Sequence, residues 1–177
     1  MTEADGPPAD PGFISQVPVA WEAATAAAEE ADIRTAHIRT GIVLARQGGT
    51  LGKVLPLFKL GLGGKLGSGA DWWSWISLAD QVRAIRHLMT APVEGAVNLT
   101  APNPVTNAEL TKTLGKVLNR PTFFTVPRFA LEVVLGRELA DAVIFTSAQV
   151  LPAKLEKSGF EFRHRELEPA LREILDR

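Results

Sequence analysis

The sequence contains no cysteine and no tyrosine. Without cysteine there are no disulfides and no thiolate metal sites, and a reducing cytoplasm is the expected setting. Without tyrosine, no Tyr-x-x-x-Lys proton-transfer pair exists in the chain. No run approaches the ~20 apolar residues that a bilayer-crossing helix needs. Neither charge sign is in excess: 19 Lys and Arg stand against 20 Asp and Glu, a formal net charge of -1. That balance argues against a general nucleic-acid binder, which shows a basic surplus or a basic face. The three histidines, His37, His87 and His164, are isolated and lack paired ligand spacing, so no metal site is expected.

Several motifs are also missing. The glycine-rich stretch Gly61–Gly69 fails the dinucleotide fingerprint G-x-G-x-x-G, because Leu66 stands at its last position. Gly52-Lys53 and Gly64-Lys65 are not phosphate-binding P-loops, since Val54 and Leu66 occupy the Ser/Thr place. Ser68 sits in no G-x-S-x-G elbow, as Leu66 precedes it by two.

What is present is ordinary globular material: 177 residues, 46% hydrophobic and 22% charged. Trp21–Ala31 is Ala/Glu-rich and predicts a helix ended by Asp32. Thr35–Leu44 is dense in β-branched residues and predicts a strand, with Ile38, Ile42 and Leu44 on its apolar side. Lys53–Leu62 predicts a short helix with Pro56 in its first turn. Gly61–Gly69 reads as a loop, and Trp72–Ile76 as an aromatic strand.

Ser77 to Asp80 has the pattern of a helix start. Val82, Ile85, Leu88 and Met89 give the helix that follows its expected buried stripe, with His87 at the surface. Ala96–Thr100 predicts another strand. Ala101–Pro104 is a turn, and Thr106–Glu109 a capping box that opens a helix carrying Leu110, Leu114, Val117 and Leu118. Pro121–Val126 is expected to be extended. A helix between Pro127 and Gly136 and a strand at Val143–Thr146 come next. Ala153–Ser158, capped by Gly159, and Leu167–Leu175 are the last helices. Alternating helices and strands imply an α/β fold with a mainly parallel sheet. Two or three strands before the turn are few for such a sheet, which points to an incomplete one.

The run Arg39-Thr40-Gly41-Ile42-Val43-Leu44, then Gly48 to Lys53, Leu57 to Gly64, Gly67-Ser68-Gly69 and Trp75-Ile76, resembles the epimerase family of atypical short-chain dehydrogenase/reductase (SDR) proteins. These are often labelled nucleoside-diphosphate-sugar epimerase-like. Upstream, Thr2-Glu3, Phe13-Ile14 and Trp21-Glu22-Ala23-Ala24 fit the same pattern. So do Asn98, Asn107-Ala108-Glu109, Pro127, Gly136, Pro152 and Gly159-Phe160, the last of these in a DUF1731-type C-terminal region. The resemblance spans essentially the whole chain and implies the C-terminal portion of such a protein.

The resemblance implies an incomplete Rossmann-like parallel sheet in residues 13–101, a small α+β substrate-side subdomain in 102–177, and a loop or leader in 1–12. It places Arg39, Gly41, Ile42 and Val43 on the nicotinamide side of NADP or NAD. It places Lys59, Lys65, Ser68 and Trp72 toward a small or nucleotide-linked substrate. Trp21 and Glu22 fall near the place where typical relatives in the wider superfamily have their proton-transfer Tyr and Lys, and neither can do that chemistry, so no catalytic residue is assigned. The family's glycine-rich phosphate turn has no counterpart here. The chain is therefore expected to bind no cofactor tightly and to be inactive alone.

Each assignment has a plainer alternative. Arg39 to Val43 can be a buried strand with one edge arginine. The glycine loop can be a flexible connection with solvated lysines. Trp72, Trp73 and Trp75 can be packing residues, which is the expectation for Trp75. Asp80 can simply answer a helix dipole. At the level of the whole chain, the alternatives are a cofactor-sensing or protein-interaction module and self-association through an exposed sheet edge.

Overall fold

A computed structural model describes residues 1–6, 13–126 and 147–177. The helix expected at Trp21–Ala31 is two pieces, α1 (Phe13–Ala23) and α2 (Ala26–Glu30). Thr25 breaks them, its hydroxyl donating to the Glu22 carbonyl at 2.8 Å and meeting His37 Nε2 at 2.6 Å. Asp32, with φ of 56°, turns the chain after α2.

The single expected strand is likewise two, β1 (Ala36–Thr40) and β2 (Ile42–Leu44). They are split because they have different partners. After α3 (Gly49–Lys59) come β3 (Gly64–Leu66), β4 (Trp72–Trp73), β5 (Trp75–Ser77), α4 (Leu78–Thr90) and β6 (Gly95–Leu99). Then β7 (Val105–Thr106), α5 (Asn107–Leu118) and β8 (Phe124–Val126) lead to α6 (Ala153–Lys157) and α7 (Leu167–Leu175). The helix and strand expected between Pro127 and Thr146 lie outside the described residues.

β1 pairs with β6, β2 with β5 and β3 with β8, all parallel, while β4 pairs antiparallel with β7. Gly41 N–H donates to the Leu99 carbonyl, Ile42 N–H to Ser74 and Ala101 N–H to Trp75, stitching the first two pairs together. The architecture is α/β with short parallel strands, as expected.

Three expectations are corrected. The Gly61–Gly69 stretch is not a bare loop: β3 lies within it, pairing with a strand about sixty residues later, a partner that local sequence cannot reveal. The third helix starts at Gly49 rather than Lys53, so Pro56 sits inside it. On α4 the buried positions are Asp80, Gln81, Ala84 and Leu88. Val82, Ile85 and Met89 are exposed, Met89 at 72%, and so is Ile38 of β1. The helix is amphipathic, but its inward face is partly polar, with Asp80 satisfied by tertiary partners and Gln81 bonded to Thr40 through its amide nitrogen.

Two apolar clusters form the core. One joins Leu44, Leu51, Leu55, Phe58 and Trp75 to Leu110, Leu114, Leu167 and Leu171. The other joins Ile76, Ala84, Leu88, Val97 and Leu99 to Leu155 and Phe160. Both cross the Ala101–Pro104 turn, so residues before and after it share their packing.

Candidate functional site

The junction of β1 and β2 gathers the four residues assigned to a cofactor. Gly41 is where the chain leaves β6 for β5. A Cβ there would lie 2.4 Å from the Ser74 carbonyl oxygen and 2.8 Å from Thr100 Cγ2, so only glycine allows this approach. The N–H groups of Gly41 and Ile42 are already used within the sheet. Any cofactor contact here runs through carbonyls or through the partly buried side chains of Ile42 and Val43.

Arg39 is not a free cation. Its Nε and Nη2 donate to the two carboxylate oxygens of Glu22 at 2.7 and 2.8 Å. This bidentate bond holds Glu22 below the ordinary carboxylate range and raises Arg39 above its usual value. The planar fork fixes the guanidinium against α1. Near the end of β1, Gln81 donates its amide to Thr40 Oγ1 at 3.1 Å, while its carbonyl oxygen is buried with no hydrogen-bond partner among the described residues. The two amide atoms can exchange roles, so one of them is left over either way.

The substrate-side residues are only partly brought together. Lys65 Nζ donates to the Ser68 carbonyl at 3.3 Å. Ser68 Oγ accepts from Ala70 N–H and so shapes the turn. Lys59 is the last residue of α3, and its carbonyl accepts from Arg120 Nε. Trp72 N–H donates to Ser147 Oγ at 2.9 Å. Trp75 is fully buried, its indole N–H donating to the Asn103 carbonyl, in line with the packing role expected of it.

Two features escaped the sequence reading. The first is the start of α3, where Gly48 and Gly49, both at positive φ, carry the chain from β2 into a helix with no acidic residue in its first turn. Gly-Gly-Thr was the available signal, hidden because Pro56 had been placed in the first turn. The second is a buried hub around Asp80. This carboxylate, 0% exposed, accepts from Arg83, from Arg163 N–H at 2.9 Å and from His164 N–H at 2.8 Å. It does far more than answer a helix dipole.

His164 in turn meets Ser77 Oγ at 2.9 Å and Glu173 Oε2 at 3.1 Å, and the histidine bond lowers the Glu173 carboxyl. The distances match a Ser–His–carboxylate relay. Yet Ser77 is 1% exposed and its oxygen already caps α4 by accepting from Asp80 N–H, so no substrate reaches it. The hub fastens the segment before α7 to the start of α4. Among the described residues no group of acidic and histidine side chains could hold a metal ion, and no helix is long and apolar enough to cross a membrane.

Residues 126–174 match a domain of unknown function, DUF1731. The chain is 44% identical over 161 residues to the epimerase family protein MT2273 of Mycobacterium tuberculosis, covering 90% of this chain and 53% of the relative. The human epimerase family protein SDR39U1 (isoform 2), solved with NADPH, is structurally similar with a TM-score of 0.86 at 34% identity, over 99% of this chain and 59% of that one. A nucleoside-diphosphate sugar epimerase from Corynebacterium glutamicum gives a TM-score of 0.74 at 34% identity, over 99% of this chain and 33% of the other. The chain spans about half the length of the curated relatives it matches.

Proposed function

From a chain that corresponds to the C-terminal portion of the SDR epimerase family, we propose a part in a larger active site. It supplies nicotinamide-side and substrate-side elements of an NAD(P)-binding epimerase- or reductase-like protein and has no activity by itself. The observation that carries this reading is the likeness of nearly the whole chain to a relative solved with NADPH. A bound nicotinamide cofactor supplies or accepts hydride. Ile42 and Val43 would offer it an apolar flank, Gly41 would let the strands converge at this point, and Arg39, oriented by Glu22, would help to position it. Residues 102–177 act as a substrate-side subdomain, with Lys59, Lys65 and Ser68 of the preceding segment and Trp72 of β4 toward a small or nucleotide-linked substrate. The expected setting is a reducing cytoplasm.

The locked Glu22–Arg39 pair, in place of a proton-transfer pair, favours a second reading, a non-catalytic cofactor-sensing or protein-interaction module. Titration of the purified chain with NADPH and NADH, followed by cofactor fluorescence, tests the first reading. No saturable change is expected up to about millimolar protein, the weak end of the affinity scale. Saturable binding near micromolar would refute the claim that the phosphate-binding part of the site lies elsewhere.

A further inference from the structure

Basic charge is unevenly spread along the chain. Residues 49–66 and 110–126 carry Lys53, Lys59, Lys65, Lys112, Lys116 and Arg120 and no Asp or Glu, although the whole sequence has 19 Lys and Arg against 20 Asp and Glu. The two stretches are neighbours in the fold: α3 packs on α5, and β3 runs alongside β8. Lys116 is paired with Glu168. Lys53, Lys59 and Lys112 have no acidic partner among the described residues.

Both helices end, and both strands begin, at one tip of this lobe. α3 closes at Lys59 and α5 at Leu118, while β3 opens at Gly64 and β8 at Phe124. Arg120 Nε donates to the Lys59 carbonyl at 2.8 Å, and Pro121 Cγ lies 3.6 Å from the place of a Cβ on Gly61, so the two turns touch. Leu62 N–H donates back to the Leu57 carbonyl at 2.9 Å and folds the leucines at 57, 60 and 62 into one short wrap. Leu57, Leu60, Leu62, Phe123 and Phe124 are all exposed, Phe123 at 91%. Single exposed apolar side chains are unremarkable, but five on two touching turns make a patch. Ser68 and Trp72 lie beyond the other end of β3, so the patch does not include them.

We propose that this tip is a membrane-surface contact: the leucines and phenylalanines enter the headgroup layer of an anionic bilayer, and the surrounding lysines and Arg120 meet its lipid phosphates. A bilayer surface takes up apolar side chains without a matching shape, and the basic charge around them complements the negative potential that anionic lipids give a leaflet. Lysine stems lie along the apolar layer while their ammonium groups stay in water. A second copy is a poor occupant, because a two-fold contact would set these cations against their own counterparts. Nucleic acid fits less well, since three of the five exposed apolar side chains are leucines, which do not stack on bases.

The test sediments the full chain with vesicles of phosphatidylcholine alone and with vesicles of phosphatidylcholine and phosphatidylglycerol in equal parts. Partitioning onto the anionic vesicles is expected to be stronger by about 10-fold or more. It should weaken by about 10-fold between ~0.1 M and ~1 M salt, where the Debye length shrinks to about 3 Å. L60Q/F123Q, at exposed positions, is expected to lower partitioning by about 10-fold with the melting temperature unchanged. K53Q/K112Q is expected to remove most of the difference between the two vesicle types. Lys59, given a substrate-side role above, is kept in both variants. V82Q/M89Q, at exposed apolar positions of α4 outside the lobe, is expected to bind as the parent does.

Equal binding to the two vesicle types, or binding to neither, would overturn the proposal. So would a loss in V82Q/M89Q as large as that in L60Q/F123Q, which would mark general adhesion of exposed apolar side chains. Tighter binding to a single-stranded oligonucleotide than to the anionic vesicles would overturn it in favour of nucleic acid. A dimer that L60Q/F123Q dissolves would overturn it in favour of a second copy. NADPH binding enters none of these outcomes, so the function proposed above can fail without touching the membrane contact.

Discussion

On the outer side of β6, Glu3 Oε1 accepts the N–H groups of both Asn98 and Lys154. Asn98 Nδ2 donates to the Leu151 carbonyl, and Thr100 Oγ1 donates to Val150. Met1 is bonded in both directions to the strip 149–151. On the outer side of β1 nothing comparable exists among the described residues, and Ile38 of that strand is exposed. One side of the same strand pair is closed by residues 1–3 and 149–154, and the other has no paired strand among the described residues. At the first edge the polar groups are answered by side chains and carbonyls, whereas at the second the backbone groups of β1 have no described strand beside them.

Mutations on the closed side should therefore cost folding stability, and those on the open side should not. The largest effect is expected from Asp80→Ala, which leaves the buried N–H of His164 and the part-buried N–H of Arg163 without their acceptor and the half-exposed Arg83 without its partner. A loss of about 2–4 kcal/mol in denaturant unfolding is the prediction, at about 1–3 kcal/mol for each group left unsatisfied. A loss under about 1 kcal/mol would show that the hub does not hold the closed side together. Gly41→Ala, at the junction of the two sides, places a methyl group against Ser74 and Thr100. Overpacking of this sort costs about 1–3 kcal/mol, measurable as a lowered unfolding midpoint. Glu3→Gln keeps the shape of the clamp but weakens its two charge-assisted bonds, for a loss of about 1 kcal/mol. No change would mean that the N-terminal residues lie on the sheet edge without securing it.

The smallest effect belongs to the open side. Glu22 is depressed by Arg39, so its contribution is fully present above the ordinary glutamate value of about 4.3. It is lost as pH falls through the lower native value. Arg39 is raised by the same bond, and its share would be lost only at extreme alkaline pH. Because both side chains are partly exposed, the acid-side loss should stay below about 1 kcal/mol. A comparison of E22Q with the parent between neutral pH and about pH 3 should show the difference shrinking as the carboxylate protonates.

The sequence was most legible where a signal is local. The box of Thr106 and Glu109, the Ser77 cap and the last helix stand where the residues put them, because each needs only neighbours three or four positions away. It was least legible where a distant partner decides. β3 exists because Phe124–Val126 comes alongside, and β1 and β2 are separate because β6 and β5 are. The stripe of α4 was seen as apolar but assigned inward, since periodicity reveals a face and not what it faces. At the candidate site Arg39 to Val43 was legible as extended chain, and it is where β1 gives way to β2. The partner of Arg39 was not, because Glu22 lies seventeen positions earlier on another element.

The absence of tyrosine leaves tryptophan as the main intrinsic fluorophore, and the four indoles are unevenly placed. Trp73 and Trp75 lie in the core, whereas Trp21 is 72% exposed on α1. Emission from the chain is therefore two signals in one spectrum: a shielded component that reports the core, and a component open to dissolved iodide that reports the α1 flank. Loss of the second without the first would register a neighbour arriving on that flank, with no label attached and no change in the fold it joins.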